Sequence, residues 1–144
     1  MVAVAERIAA ASGCIGSVGI DFVVSDTMPC AIEINPRFQG TLDTVEAAYD
    51  CNLFEYHLGA CAGRMPETRK LVRYAARSIL FADRDMTIPA DLKHLSPIVA
   101  DIPHPGTFFE EEQAVVSVFG SGATRGEALS VLDTNISTVR QYMR

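Results

Sequence analysis

The chain has 144 residues, of which 49% are hydrophobic, and a formal net charge of −6 at pH 7. This length allows one globular domain or two small ones. The net negative charge and the scattered basic residues argue against nucleic acid and anionic membrane surfaces as partners. No apolar run approaches the length of a membrane span, and no basic leader precedes the first apolar segment.

The four cysteines indicate neither a disulfide scaffold nor a zinc site. Cys14, Cys30, Cys51 and Cys61 are too scattered for a Cys-x-x-Cys pair and too few for a disulfide framework. We therefore expect a reducing, cytoplasmic location for the protein.

The first predicted elements are a helix and a hairpin. An alanine-rich helix over residues 2–11 ends at a Ser-Gly pair. Two segments rich in β-branched residues follow, over residues 17–24 and 30–34, with turn-forming residues 25–29 between them. This pattern predicts an antiparallel β-hairpin.

The register of this hairpin places acidic and amide side chains together. If the turn centres near Thr27, Asp21 lies opposite Glu33, and Asn35 projects from the same face because side chains alternate along a strand. The opposite face is then apolar and is expected to pack into a core. That apolar face consists of Ile20, Phe22, Ile32 and Ile34.

Asp21, Glu33 and Asn35 are candidate metal ligands. Two carboxylates and an amide oxygen aimed at one point suit a hard divalent cation such as Mg²⁺, or alternatively Mn²⁺. Arg37 follows a proline that ends strand pairing, and its guanidinium can contact two phosphate oxygens at once. The alternative is that these side chains only point to solvent from the open face of a half-buried sheet.

The rest of the chain predicts helices, then a second α+β segment. Asn52 and Glu55 form a capping-box pattern at the start of a helix that contains His57, which we interpret as structural or solvent-facing rather than catalytic. Thr124 and Glu127 repeat the pattern after a glycine-rich strand-to-helix turn over residues 120–124. The other predicted elements are a helix over 41–48, a strand over 71–82, a loop with short extended pieces over 83–101, a turn over 101–107, a strand over 113–119 and a helix from Arg125 to about Met143.

The motifs of the hairpin resemble the C-terminal end of the ATP-grasp ligase superfamily, in the carboligase branch related to biotin carboxylase and the carbamoyl-phosphate synthase large subunit. The resemblance lies in Gly-Ile-Asp-Phe at residues 19–22, Ile-Glu-Ile-Asn-Pro-Arg-Phe-Gln-Gly at residues 32–40, and the helix after Asn52. It implies an α+β fold, with the end of an ATP-grasp domain over residues 1–63. A small C-terminal α+β domain like that of biotin carboxylase is expected over residues 64–144.

The resemblance also implies roles for individual residues. Asp21, Glu33 and Asn35 match the ligands of the Mg²⁺ ions that bridge the ATP phosphates, so Glu33, Asn35 and Arg37 are expected to bind the nucleotide. Arg37 matches the catalytic arginine that contacts the phosphate or the acyl-phosphate intermediate. Thr41 stands where biotin carboxylase has the glutamate that acts as base toward bicarbonate, and a threonine hydroxyl cannot act as a base near neutral pH.

We therefore expect the C-terminal portion of an ATP-dependent carboxylate-amine ligase that uses ATP, Mg²⁺ and a small carboxylate or amino acid. The N-terminal ATP-grasp half is expected to be missing, and the fragment to be inactive alone. One alternative is a carbamoyl-phosphate synthase or biotin carboxylase-like enzyme that phosphorylates bicarbonate. Another is a non-catalytic binding or assembly module derived from the ATP-grasp fold. The oligomeric state is open between a monomer and a homodimer.

Overall fold

The computed structural model describes residues 1–25 and 28–143. The predicted turn centre near Thr27 lies outside the described residues. The chain divides into two compact units. The hairpin unit comprises Met1–Glu46 and Asp50–Lys70, and the sheet unit comprises Ala47–Tyr49 and Leu71–Arg144.

The hairpin unit begins with a helix that ends where the sequence predicted. The first helix stops at Gly13, whose φ of 67° is the left-handed conformation that glycine adopts readily. Asn52 caps another helix, since its Oδ1 accepts a hydrogen bond of 3.0 Å from the backbone N–H of Glu55. The predicted end of the first helix at Gly13 and the predicted start of the other at Asn52 are both confirmed. The elements are α1 (Val2–Ser12), β1 (Gly19–Val24), β2 (Pro29–Asn35), α2 (Leu42–Tyr49), whose last three residues belong to the sheet unit, and α3 (Leu53–Cys61).

Strands β1 and β2 pair antiparallel with Asp21 opposite Glu33, which confirms the predicted register at this end. A β-bulge follows, because Phe22 pairs with Ala31 and Ile32 is the extra residue between the two pairs. The expectation that Phe22 and Ile32 share one regular apolar face is therefore wrong. A pattern of alternating residue types does not reveal an inserted residue.

The predicted core behind the hairpin is also wrong for the described residues. Ile32 is 65% exposed and Ile34 is 42% exposed. Asn35, at 8% exposure, is the one buried side chain among the described residues of the hairpin unit. An alternating pattern can define an apolar face on a strand, but it does not specify which element covers that face.

The sheet unit contains a three-stranded antiparallel sheet and a separate short pair of strands. The sheet has the order β3-β7-β5, and β4 pairs with β6. The 83–101 region, predicted as a loop with short extended pieces, contains two short strands, which agree with that prediction, and a 3₁₀-helix at Lys93–Leu95 that was not predicted. The elements are β3 (Tyr74–Phe81), β4 (Met86–Thr87), β5 (Val99–Ala100), β6 (Phe108–Phe109), β7 (Ala114–Gly122) and α4 (Arg125–Tyr142).

Helix α4 packs on one face of this sheet. Strand β7 runs through Gly122, so the predicted glycine-rich turn over 120–124 is wrong for its first three residues. Gly120 is needed there because an added Cβ would overlap the backbone of α4 at Leu132. The core between the two layers includes Leu80, Val116, Val118, Leu132 and Val139.

The predicted cap of the last helix is confirmed. The hydroxyl of Thr124 accepts from the backbone N–H of Glu127 at 3.1 Å, and the Glu127 carboxylate accepts from the N–H of Ala123 at 2.8 Å. Every strand pair among the described residues is antiparallel. The α+β fold class predicted from the sequence is thus confirmed. Within residues 1–25 and 28–143, no helix is long and apolar enough to cross a bilayer.

Candidate metal site

The three predicted metal ligands lie together on one face of the hairpin. Asp21 and Glu33 are directly opposite, and side chains of opposed residues project from the same face of a sheet. The Nδ2 of Asn35 donates a hydrogen bond of 3.3 Å to Oδ2 of Asp21. The two carboxylates are exposed and the amide is buried. The arrangement therefore places two accessible anionic groups beside one fixed polar group.

Asn35 is fixed through its backbone as well as its side chain. Its carbonyl oxygen accepts from the N–H of Arg37 at 2.8 Å and from Nε2 of Gln39 at 3.2 Å. Gln39 Nε2 also donates to the carbonyl of Arg37 at 2.9 Å. Gln39 thereby fixes the chain where it leaves β2. The sequence alone did not predict this contact.

Gly19 makes room for that glutamine. An added Cβ at Gly19 would overlap the side chain of Gln39, so a larger residue would displace it. A glycine inside a strand often marks such a close approach, and that was the available sequence signal. The pairing of Gly19 with Asn35 brings this contact to the end of the hairpin that carries the candidate ligands.

Arg37 is exposed and stands apart from the two acids. Its NH1 donates to the carbonyl of Phe38 at 3.2 Å. Among the described residues, no ion pair within 4.0 Å joins Arg37 to Asp21 or Glu33. The structure thus brings the three predicted metal ligands together, and leaves Arg37 at the adjoining strand end.

His57 supports the site from α3. Its ring packs against Phe38 with 5.0 Å between ring centroids, and its Nδ1 accepts from the N–H of Ser17 at 3.0 Å. Gly16, at φ 93°, allows the approach, because a Cβ there would overlap the imidazole. These contacts give His57 the structural role that the sequence predicted.

The donor set fits a hard cation. No three His, Cys, Asp or Glu side chains converge among the described residues, so the candidate set consists of two carboxylates and one amide. In the observed hydrogen bond the amide nitrogen of Asn35 faces Asp21. The two ends of an amide are nearly isosteric, so rotation of the amide plane presents oxygen in place of nitrogen. The set can then offer only oxygen ligands, as Mg²⁺ prefers.

Cysteine chemistry lies outside this site. All four cysteines are free thiols. Burial, followed by the charge of Glu46, raises the pKa of the Cys51 thiol. A raised pKa lowers the fraction of the reactive thiolate at neutral pH.

Residues 1–41 match a protein family described as an ATP-grasp domain. The matched segment contains all four predicted site residues, Asp21, Glu33, Asn35 and Arg37. The chain is also 30% identical over 103 residues to an uncharacterized protein of Methanocaldococcus jannaschii. That match covers 72% of this chain and 25% of the archaeal protein, so the chain spans about a quarter of the relative's length.

One similar solved structure is a single-chain, multi-domain long-chain acyl-CoA carboxylase. It matches with a TM-score of 0.68 at 21% sequence identity, over 93% of this chain and 17% of the carboxylase. At that identity the likeness concerns the fold. With the family match over residues 1–41, it supports an ATP-grasp-related fold for the chain.

Proposed function

We propose that this chain carries the metal site of an ATP-dependent carboxylate-amine ligase that works through an acyl-phosphate intermediate. Asp21, Glu33 and Asn35 hold Mg²⁺, or Mn²⁺ in its place, and Arg37 contacts the transferred phosphoryl group. The observation that carries the proposal is the convergence of the three ligands on one hairpin face, inside the segment that matches an ATP-grasp domain.

Each residue has a physical role in the proposed reaction. Phosphoryl transfer needs positioning and charge neutralisation more than covalent help from the protein. Mg²⁺ bound with ATP supplies charge neutralisation at the phosphates. Asp21 and Glu33 supply carboxylate oxygens, and the fixed backbone of Asn35 holds the third ligand in place. The guanidinium of Arg37 stabilises negative charge on the phosphoryl oxygens, or on the acyl phosphate, by paired hydrogen bonds.

An amine is the favoured acceptor. In the proposed reaction a substrate carboxylate attacks the terminal phosphorus of ATP and ADP leaves. The amine then attacks the carbonyl carbon and phosphate leaves. Thr41 precedes α2 as its N-cap residue, and its hydroxyl offers no base for bicarbonate near neutral pH.

A second candidate is phosphorylation of bicarbonate, as in enzymes like biotin carboxylase or carbamoyl-phosphate synthase. The fold likeness to an acyl-CoA carboxylase favours it. Both candidates use Asp21, Glu33 and Asn35 in the same way, and they differ in the molecule that receives the phosphoryl group.

Metal binding is tested first on the 144-residue chain, with Mn²⁺ as the probe and electron paramagnetic resonance as the readout. Glu33→Gln and Asp21→Asn are expected to weaken Mn²⁺ binding about tenfold or more, because each removes a charged ligand. Glu6→Gln is the matched control, since Glu6 is an exposed acid on α1. Equal Mn²⁺ affinity in all four proteins contradicts the assigned ligands.

Catalysis is tested as Mg²⁺-dependent ADP release by the full-length gene product. The panel contains amino acids, simple amines with small carboxylates, and bicarbonate. Turnover stimulated by an amine, and lowered on the order of a hundredfold in Glu33→Ala, supports the ligase. Stimulation by bicarbonate alone selects the second candidate. Absence of both turnover and Mg²⁺-nucleotide binding contradicts both and selects a non-catalytic module.

A further inference from the structure

The face of the β3-β7-β5 sheet that points away from α4 carries a cavity of about 480 Å³ that is open to solvent. The pairing of β3 with β7 places Arg77 opposite Phe119, and Ile79 opposite Ser117, on this face. Gly120, one position along β7 from Phe119, meets α4 on the other face. A cavity of this size lies within the range that small ligands occupy. Its walls include Arg77, Ile79, Asp101, His104, Phe109 and Ser117.

A hydrogen-bonded cluster of three side chains forms the polar end of the cavity. Ser117 is 2% exposed. Its hydroxyl donates to Oδ2 of Asp101 at 2.6 Å and accepts from Nε and NH2 of Arg77 at 3.1 and 2.6 Å. Arg77 NH2 also donates to the same Asp101 oxygen at 3.1 Å. Two donors therefore fix the Asp101 carboxylate before any ligand arrives.

The cluster presents a carboxylate to solvent rather than a guanidinium. The side chain of Asp101 is 66% exposed, whereas that of Arg77 is 19% exposed and directs donors at Ser117 and Asp101. An ionised carboxylate has about four acceptor sites on two oxygens, and the two bonds described here both use Oδ2. The accessible polar group is thus a fixed carboxylate acceptor, whose charge is partly balanced by the Arg77 guanidinium at 3.1 Å.

Apolar side chains complete the cavity. Ile79 is 42% exposed and Phe109 is half-buried, and both line the space beside the Asp101 carboxylate. A charged donor that carries a short hydrocarbon would gain a hydrogen bond at one end and apolar contact at the other. A free carboxylate ligand would meet the charge of Asp101, which repels it.

We propose that this cavity is a binding site for a small primary amine, with the ammonium group on Asp101 and its hydrocarbon against Ile79 and Phe109. Ser117 and Arg77 act as positioning residues that hold the carboxylate. The site lies wholly within the sheet unit, and the proposal goes beyond the ATP-dependent reaction and does not rest on it. Its test uses neither nucleotide nor metal.

The test is a titration of the 144-residue chain, followed by amide chemical shifts in nuclear magnetic resonance. Three probes share one carbon skeleton: butylammonium, 1-butanol and butyrate. Butylammonium is expected to cause saturable shifts at the amides of Asp101, His104 and Thr107 and at those of residues 115–117, with an affinity about tenfold or more above that of the other two. Equal binding of 1-butanol reduces the site to an apolar cavity, and preference for butyrate makes it an anion site; either result overturns the proposal.

Three variants assign the binding to this cavity. Asp101→Asn is expected to lower the affinity for butylammonium about tenfold or more, because the acceptor loses its charge. Asp133→Asn, the same change on α4, is the matched control and should bind as the parent does. Ile79→Trp fills the cavity without changing a charge and should also reduce binding.

Amide spectra of the three variants check that the fold is retained, and Ile79→Trp keeps the proposal testable where Asp101→Asn is unfolded. Unchanged affinity in both Asp101→Asn and Ile79→Trp overturns the proposal. A parent protein that binds no butylammonium also overturns the proposal. If Asp101→Asn then lowers the unfolding midpoint, the cluster has only a structural role.

Discussion

The two units of the chain bury apolar side chains to very different extents. All the buried hydrophobic residues among the described part of the chain belong to the sheet unit, where Val118 and Val139 are fully enclosed. Among the described residues of the hairpin unit, the one buried side chain is Asn35, which is polar. The candidate metal site therefore lies in a unit whose described residues form no buried apolar core.

Hydrogen bonds and close approaches define the hairpin unit instead. The N–H of Leu53 donates to the Glu46 carboxylate at 2.6 Å, and Ser17 donates to the ring of His57 at 3.0 Å. A typical hydrogen bond contributes only about 0.5–1.5 kcal/mol net, whereas burial of a large apolar side chain contributes about 1.5–3 kcal/mol. We therefore expect the hairpin unit to open more readily than the sheet unit.

A core truncation in the sheet unit should destabilise the protein most. Leu80→Ala should lower the free energy of unfolding by about 2–5 kcal/mol, because Leu80 is 3% exposed and its loss leaves a cavity. Ile32→Ala, at a position 65% exposed on the hairpin, should change it by less than about 0.5 kcal/mol. Urea denaturation measures both. Similar losses would show that the hairpin unit has an apolar core after all.

The next effect tests the contact between sheet and helix. Gly120→Ala should destabilise the protein by about 1–3 kcal/mol, because its Cβ overlaps the backbone of α4 at Leu132 and Ala128. Gly126→Ala is the control, since its Cβ meets only the Thr124 hydroxyl at 4.0 Å, and it should stabilise α4 by up to about 1 kcal/mol. Thermal unfolding followed by circular dichroism compares the two. A neutral Gly120→Ala contradicts the close packing of this face.

The smallest effect separates local from global stability. Thr124→Ala and Asn52→Ala each remove one helix cap, at a local cost of about 1 kcal/mol. Hydrogen exchange should quicken at the capped amides, Glu127 and Glu55 respectively. Only Thr124→Ala should also lower the urea midpoint, because α4 packs on the core. A lower midpoint in Asn52→Ala would mean that α3 is part of the same cooperative unit.

Local features of the sequence predicted local features of the structure. Both helix caps depend on residues three apart, and the pairing of Asp21 with Glu33 depends on one short connection, so neighbouring residues carried enough information. The convergence of the candidate ligands followed from that pairing. Their assignment to a metal stays a prediction.

Features that depend on distant residues could not be predicted. Gly120 lies in a strand that packs closely against Leu132 of α4, and this tertiary contact could not be read from the neighbouring residues. The fixing of Asn35 by Gln39 requires the chain to turn back after the strand, and the residue types alone did not indicate it. The exposure of Ile32 and Ile34 depends on which elements cover the hairpin, and this information is absent from the strand itself.

The bulge at Ile32 has a consequence for how related chains are aligned. Without that extra residue, the pairs Asp21–Glu33 and Phe22–Ala31 would follow each other in a regular ladder, and the acids would still share a face. A homologue could thus carry the same constellation with one residue fewer between its two acids. A search pattern that fixes this spacing would reject such a chain, and one that allows a single gap there would retain it.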